Sequence, residues 1–362
     1  MLKFKIDYIY LFSVLALSAV GLIMVISASP TLGLKHGDTF YYIKRELFFL
    51  ILGMAALYYG LWLNLDNLRN KAYLLFIISI ALLILIFVPG VGRRVLGASR
   101  WIDLGIISFQ PSELIKLTMV VFLARWLADR KDAIKNFSRA ILLPLILLGF
   151  IGILIIRQPD LGTFIVVAAT VFSMLFVAGM EIWQLLSMGS IGVVILIGLS
   201  VTSTYRLRRL TAYFDPWKDP QGVGFHIIQS LLAVGSGGLM GLGLGASRQK
   251  FFYLPQQFTD FIFAILCEEL GLIGGAGVIL LFIIFAARGM RIAMEANNFF
   301  KALLAAGITS WLTIQALTNI MVVLGLIPTT GIPLPFISYG GTATILNLFA
   351  VGIVLNISRK SG

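Results

Sequence analysis

One cysteine and two histidines are all the thiol and imidazole this 362-residue chain contains. Cys267 lies inside an apolar run, so there is no disulfide framework, and it reads as a small buried hydrophobe. His36 and His226 stand alone, without a second His or Cys at ligand spacing, which argues against a protein-built zinc site. Charge is scarce too: Asp, Glu, Lys and Arg make up 12% of the residues, against 59% hydrophobic. A soluble protein of this size needs far more charge to cover its surface. Phosphate-loop, dinucleotide-binding and Ser-His-Asp patterns are absent, which leaves nucleotide hydrolysis and serine chemistry without support. The glycine-rich tract from Gly235 to Gly245 has the wrong spacing for a phosphate loop and instead offers a backbone that a ligand can approach closely.

What is present is long apolar sequence. Because about 20 apolar residues cross a bilayer, the apolar runs can be counted as spans, although Glu113, Lys116 and Arg125 interrupt one and Glu268 and Glu269 lie in another. The runs cover Tyr8 to Ala28, Leu47 to Leu63, Ala72 to Val88, Pro111 to Ala128, Ala140 to Ile156, Leu161 to Met180 and Ile182 to Thr202. Phe258 to Ala287 makes an eighth, and the uncharged stretch from Ala302 to Ser358 holds two more, divided by PTTGIPLPFISYGG, whose prolines and glycines cannot continue one helix. The expected fold is an all-α polytopic membrane protein of about ten helices in a single domain over residues 1–362. A large, partly helical loop, about 203–257, joins the seventh and eighth. No small-residue cleavage site follows the first run, so it is expected to be a retained span.

Short-loop Lys and Arg set the orientation. With the N-terminus inside, the inner loops hold Arg69, Lys71, Arg130, Lys131, Lys135, Arg139, Arg288, Arg291 and Lys301, and both termini are cytoplasmic. The outer side then carries cations as well: Arg93, Arg94 and Arg100 in one loop, and Arg206, Arg208, Arg209, Lys218, Arg248 and Lys250 in the large one. Long loops cross regardless of charge, which is the plain explanation. The sharper one is an anionic ligand at the outer leaflet. The formal charge of +12 is scattered between apolar runs, which points to anionic lipid headgroups and away from nucleic acid.

Ionisable residues within the apolar runs are costly, and by default they mark function. Asp260 stands at the mouth of the eighth run, and Glu268 and Glu269 follow roughly two turns later. The last two point about 100° apart, so a structural role for one of them is expected. Glu113 and Lys116, three residues apart on one helix, can face each other as an ion pair or hold a cavity open. Arg157, Gln158 and Asp160 lie at the junction of two spans. They form either a local helix-end pair or part of the same outer cavity. This gathering at one end favours chemistry at the outer leaflet over passage through the membrane, for which charges near the midplane are usual. Arginines suit a pyrophosphate, and a single acid suits a general base that deprotonates a sugar hydroxyl.

WIDLGIISFQPSELIKL, RQPDLGT, FDPWKDPQGVGFHIIQSLLAVGSGG, LPQQFTDFIFAILCEELG and PLPFISYGG, in this order from about residue 90 to the end, resemble the motifs of the SEDS family (shape, elongation, division and sporulation). SRQKFFYLP before the TDFIFA segment is more similar to its division and sporulation branch than to its elongation branch. The resemblance implies a peptidoglycan glycosyltransferase that polymerises lipid II, a disaccharide-pentapeptide on undecaprenyl pyrophosphate, at the outer face of the cytoplasmic membrane. It also implies a class B penicillin-binding protein as transpeptidase partner. The family's essential aspartate falls on Asp260, and its buried Glu and Lys fall on Glu113 and Lys116. Gln256 stands where the family commonly has a glutamate, which weakens any role for a second carboxylate there.

The expected mechanism is an inverting transfer with Asp260 as base. Arg93, Arg94, Arg100, Arg208 and Arg248 neutralise the departing pyrophosphate. Glu113, Lys116, Arg157, Asp160, Ser247, Lys250, Ser338 and Tyr339 complete the candidate substrate contacts. No cofactor is required by the motifs, and a divalent cation, magnesium or manganese, bridging the pyrophosphate is left open. Two other readings remain at this point: a lipid II flippase with the same cavity and no bond-making, and a non-catalytic scaffold of the wall-synthesis complex.

Overall fold

A computed structural model describes residues 6–34, 37–95, 98–103, 105, 108–134, 136–201, 204–250 and 257–360. His36 and Gln256 lie outside them. The helices in chain order are α1 (Tyr8–Ala28), α2 (Pro30–Gly33), α3 (Tyr41–Trp62), α4 (Leu65–Leu85), α5 (Pro111–Ala128), α6 (Leu142–Arg157), α7 (Leu161–Val177) and α8 (Ile182–Val201), followed by α9 (Thr204–Phe214), α10 (Phe225–Ser236), α11 (Ile262–Met294), α12 (Phe299–Val323) and α13 (Thr342–Lys360). Each of the ten apolar runs falls on a helix. Among the described residues, seven helices, counting the π-turn that leads into α6, are long and apolar enough to cross a membrane. The protein is therefore a multi-pass membrane protein built from helices.

The boundaries follow ordinary capping chemistry. Asp7 accepts from the Tyr10 amide at the start of α1, Asn64 from Asp66 and Asn67 at α4, and Asn298 from Lys301 at α12. Each satisfies an amide that the first turn leaves unpaired. Pro111 opens α5, where a missing N–H costs nothing. Almost every side chain of α5 is buried, as is most of α12 and α13. These three helices form the centre, while α3, α4 and α8 show apolar side chains to the outside. That placement explains how α5 tolerates Glu113 and Lys116, since both face protein and not lipid.

Two features differ from the sequence expectation. The loop before α5 carries strand in a chain expected to be all-α. It forms a small antiparallel sheet, β1 (Gly92–Val95), β2 (Ala98–Asp103) and β3 (Ser108–Phe109), with β2 in the middle and a bulge between Arg93 and Arg94. And the glycine-rich tract brings its open backbone against another part of the chain. Gly271 sits inside α11 at φ +67°, breaking the helix. The freed carbonyls of Glu268 and Glu269 accept from Leu242 and Gly243, while Leu272 and Ile273 donate to Gly238 and Leu239. A helix broken within an apolar run leaves polar backbone that has to be paired inside the protein, and the tract supplies the pairing.

The residues after the tract continue the same crossing. Ser247 Oγ donates to Glu268, the Arg248 amide donates to Glu268 Oε1 at 3.0 Å, and the Ser247 amide to Glu269 Oε1 at 3.4 Å. Lys250 Nζ lies 3.4 Å from Glu269, which also accepts from Ser27 at 2.6 Å. Both acids thus hold one loop, although their directions on a helix diverge. The loop passes over the helix and reaches each in turn.

Candidate active site

Asp260 lies in the turn that enters α11, partly exposed. Three successive carbonyls of that turn are tied down. Tyr339 N donates to Phe258 O, Ser338 Oγ to Thr259 O, and Asn319 Nδ2 to Asp260 O at 2.7 Å. The Gln257 amide anchors the turn from the other side on Ala28 O at 2.7 Å. The segment between α12 and α13 wraps this turn. Gly331 faces the carboxylate so closely that a methyl group built on it would lie 3.4 Å from Asp260 Oδ2. Its φ of +75° is a conformation that side chains rarely adopt.

Two arginines are close enough for their charge to act on the Asp260 carboxyl. Arg100, on β2, donates from Nε to Gln158 O at 2.9 Å and from Nη2 to Pro159 O, which docks the small sheet on the α6–α7 junction. Arg209, on α9, donates to Thr329 O at 2.9 Å. One face of α9 makes this contact, because Tyr213, four residues on, donates to Leu326 O at 3.0 Å. The opposite carboxylate is Asp160, buried as the cap of α7, where it accepts from the Thr163 amide and hydroxyl. Loss of water, with Asp160 adding to it, pushes the Asp260 carboxyl up to about 6, although Arg100 and Arg209 pull the other way. At neutral pH the group is ionised and close to its own pKa, which is what a general base needs.

The Glu113–Lys116 pair, 2.7 Å apart and buried on both sides, does not stand alone. Lys116 also donates to Gln315 Oε1 at 2.7 Å, and Gln315 Nε2 donates to Pro333 O at 3.0 Å. The pair therefore steadies the loop that carries Gly331. His226 stacks on Phe261, beside Asp260, with centroids 5.8 Å apart. Burial first, then Arg209, hold it below the ordinary imidazole range, so at pH 7 it adds no charge.

The other candidates are placed as follows. Arg93 and Arg94 lie on β1, their backbones opposite Trp101 and Ser99; their side chains are outside what the structure describes. Arg157 is exposed at the end of α6, and Arg208 is exposed on α9, facing away from its inward-turned neighbour Arg209. Ser247 and Lys250 are buried against Glu268 and Glu269, and Arg248 is exposed beside them. Ser338 accepts from Leu334 N at 2.8 Å besides donating to Thr259, and the Tyr339 ring packs against Tyr42 and Phe258.

Arg209, Gln315, Asn319 and Gly331 are the residues that reasoning on sequence missed. Only Arg209 had a signal: helical spacing puts Arg206, Arg209 and Tyr213 on one face of α9. As for a cation, Asp160 is committed to Thr163. Among the described residues no group of three His, Cys, Asp or Glu could hold a metal ion. The described side chains do not fit a protein-built metal site.

The family model of cell cycle proteins of the FtsW, RodA and SpoVE type matches residues 8–362. Stage V sporulation protein E of Bacillus subtilis (strain 168) is 46% identical over 356 residues, covering 98% of this chain and 97% of that protein. A probable peptidoglycan glycosyltransferase FtsW of Geobacter sulfurreducens is 42% identical over 357 residues, 98% of this chain and 96% of the other. The crystal structure of the rod shape determining protein RodA of Thermus thermophilus aligns at TM-score 0.72 and 30% identity, over 98% of this chain and 97% of that one. A chain from a peptidoglycan synthase complex, solved for the coordination of polymerization and crosslinking, aligns at TM-score 0.81 and 31% identity, over 99% and 98%. With its motifs in order and matches over nearly its whole length, the chain belongs to the FtsW/RodA/SpoVE family of cell cycle proteins, the SEDS family.

Proposed function

We infer that this chain is a peptidoglycan glycosyltransferase that polymerises lipid II at the outer face of the cytoplasmic membrane, in division or sporulation. The observation that carries it is Asp260: a carboxylate with a raised pKa, held in a fixed turn beside Gly331, within electrostatic reach of two arginines that are themselves anchored on carbonyls. The helix ends that build this site, the starts of α5, α7 and α11 and the ends of α6 and α12, all carry outer loops when both termini are cytoplasmic. That orientation, and ten spans with one outward site, are part of the proposal.

In the reaction, Asp260 accepts the proton of the acceptor's GlcNAc 4-hydroxyl. The hydroxyl oxygen forms its bond to the donor's anomeric carbon as the bond from that carbon to the pyrophosphate oxygen breaks. The electron pair leaves on the lipid-linked pyrophosphate, and configuration inverts. Arg100 and Arg209 meet the charge that develops there. A general base contributes roughly 10²–10⁴-fold, so positioning and phosphate stabilisation have to supply the rest. A class B penicillin-binding protein, crosslinking the strands, is the proposed partner, supported by the similarity to a chain from a peptidoglycan synthase complex.

The test is purified protein with labelled lipid II, comparing wild type with Asp260→Asn. Polymer from the wild type and none from the folded variant supports the assignment. Full-rate polymer from the variant removes Asp260 as base. Translocation in vesicles without any polymer means a flippase, and neither activity means a scaffold.

A further inference from the structure

Asn319 and Gln315 are four residues apart on α12 and so share one face. Their amides read consecutive carbonyls of the loop that covers the site: Gln315 Nε2 donates to Pro333 O at 3.0 Å and Asn319 Nδ2 to Ile332 O at 2.7 Å. Asn319 does more. The same nitrogen donates to Asp260 O, also at 2.7 Å. Two flanking carbonyls settle which way the amide points, since an oxygen there would face two acceptors. Asn319 is 1% exposed, and its Oδ1 is buried without a protein partner. Leaving that acceptor unpaired costs stability, and what the residue secures in return lies on its nitrogen side.

The two backbones joined there are the one that carries Asp260 and the one that carries Gly331, beside the carboxylate. We propose that Asn319 is a positioning residue for the transfer: it fixes the gap between the base and the loop opposite, where the acceptor hydroxyl has to enter. The assignment rests on the glycosyltransferase reading. A helix is the right place for such a clamp, because a buried helix holds its side chains more tightly than a loop does. Ser338 forms the neighbouring rung, between Thr259 O and Leu334 N. The Asn319 rung is the one that touches the base's own residue.

The experiment uses the full chain with labelled lipid II, for wild type, Asn319→Ala and Asn319→Asp. It measures kcat and KM across pH, and amide hydrogen exchange by segment. For Asn319→Ala, kcat is expected to fall about 10²-fold, as for a reacting group misplaced by about 1 Å, with KM nearly unchanged. Exchange is expected to rise in residues 257–261 and 329–334 and not elsewhere. The acid limb of the pH profile is expected to move down as the loosened turn admits water to the carboxyl. Asn319→Asp keeps the shape but loses the donors, so it should show the same fall in kcat and the same exchange if the alanine variant folds poorly, while its added like charge holds the acid limb up. A wild-type rate and pH profile in both variants overturns the proposal. So does a loss of activity that only follows the loss of folded protein, with exchange raised throughout. A wild type that makes no polymer overturns the glycosyltransferase reading and the catalytic half of this one; unchanged exchange in the two segments would then overturn the clamp as well.

Discussion

At the residue scale, the site depends on one carboxyl whose acidity is set first by loss of water and then by opposing neighbours. With Asp260 pushed up to about 6, the polymerisation rate should fall on acidification through that value, because the protonated group cannot accept a proton. Asp160→Asn removes a like charge and should move the limb to lower pH; a stopped assay across pH 5–8 would show it. Arg100→Ala removes an opposite charge and should move it higher. Stability has the reverse sign to a salt-bridged acid. The folded-state pKa lies above the unfolded value of about 3.9, so the group favours folding below that value. That advantage is lost as pH rises through about 6. Asp260→Asn should therefore melt higher than wild type at pH 8 and at the same temperature near pH 3. Gly331→Ala forces a side chain onto a positive φ and places a methyl over Oδ2; kcat should drop at least tenfold while the melting temperature changes little.

At the element scale, two devices hold the scaffold. The first is the crossing of the glycine tract over broken α11. A methyl on Gly241 would meet Glu269 O at 2.1 Å, and one on Gly271 would meet Gly241 N at 2.4 Å. Neither can be relieved by turning a side chain, so Gly241→Ala and Gly271→Ala should both lower the yield of folded protein, read by size-exclusion chromatography in detergent. The second is the buried path from Glu113 through Lys116 and Gln315 to Pro333. Removing one partner leaves an uncompensated buried charge, which typically costs about 3–5 kcal/mol. Lys116→Met alone should be strongly destabilised in a thermal melt. The double change Glu113→Gln with Lys116→Met should recover much of the stability, yet not the rate, because Gln315 keeps only Trp311 of its two donors.

At the scale of the whole molecule, sequence and structure divide the work by range. Hydrophobic run length depends only on neighbouring residues, so the helices and the uncharged divider before α13 could be read directly. Asp260 could be read too, since an acid at the mouth of an apolar run is costly wherever the chain folds. The similarity of motif order extended that to an expected role. What composition and spacing left open was partnership. Glu113 and Lys116 were an ion pair or a cavity wall; the structure makes them a pair that also supports a loop about 200 residues away in sequence, through Gln315. Arg208 and Arg209 are equivalent as letters, and only the docking face of α9 separates the exposed one from the one at the site. The glycine tract offered open backbone with no partner legible in the sequence, and the structure pairs it with α11. The sequence by itself determined a membrane-spanning helical chain with an acid poised at one helix mouth, because burial of apolar residues is a local demand. Tertiary structure alone decided which guanidinium, which amide and which glycine surround that acid, because hydrogen bonds join whatever segments the packing brings within 3 Å.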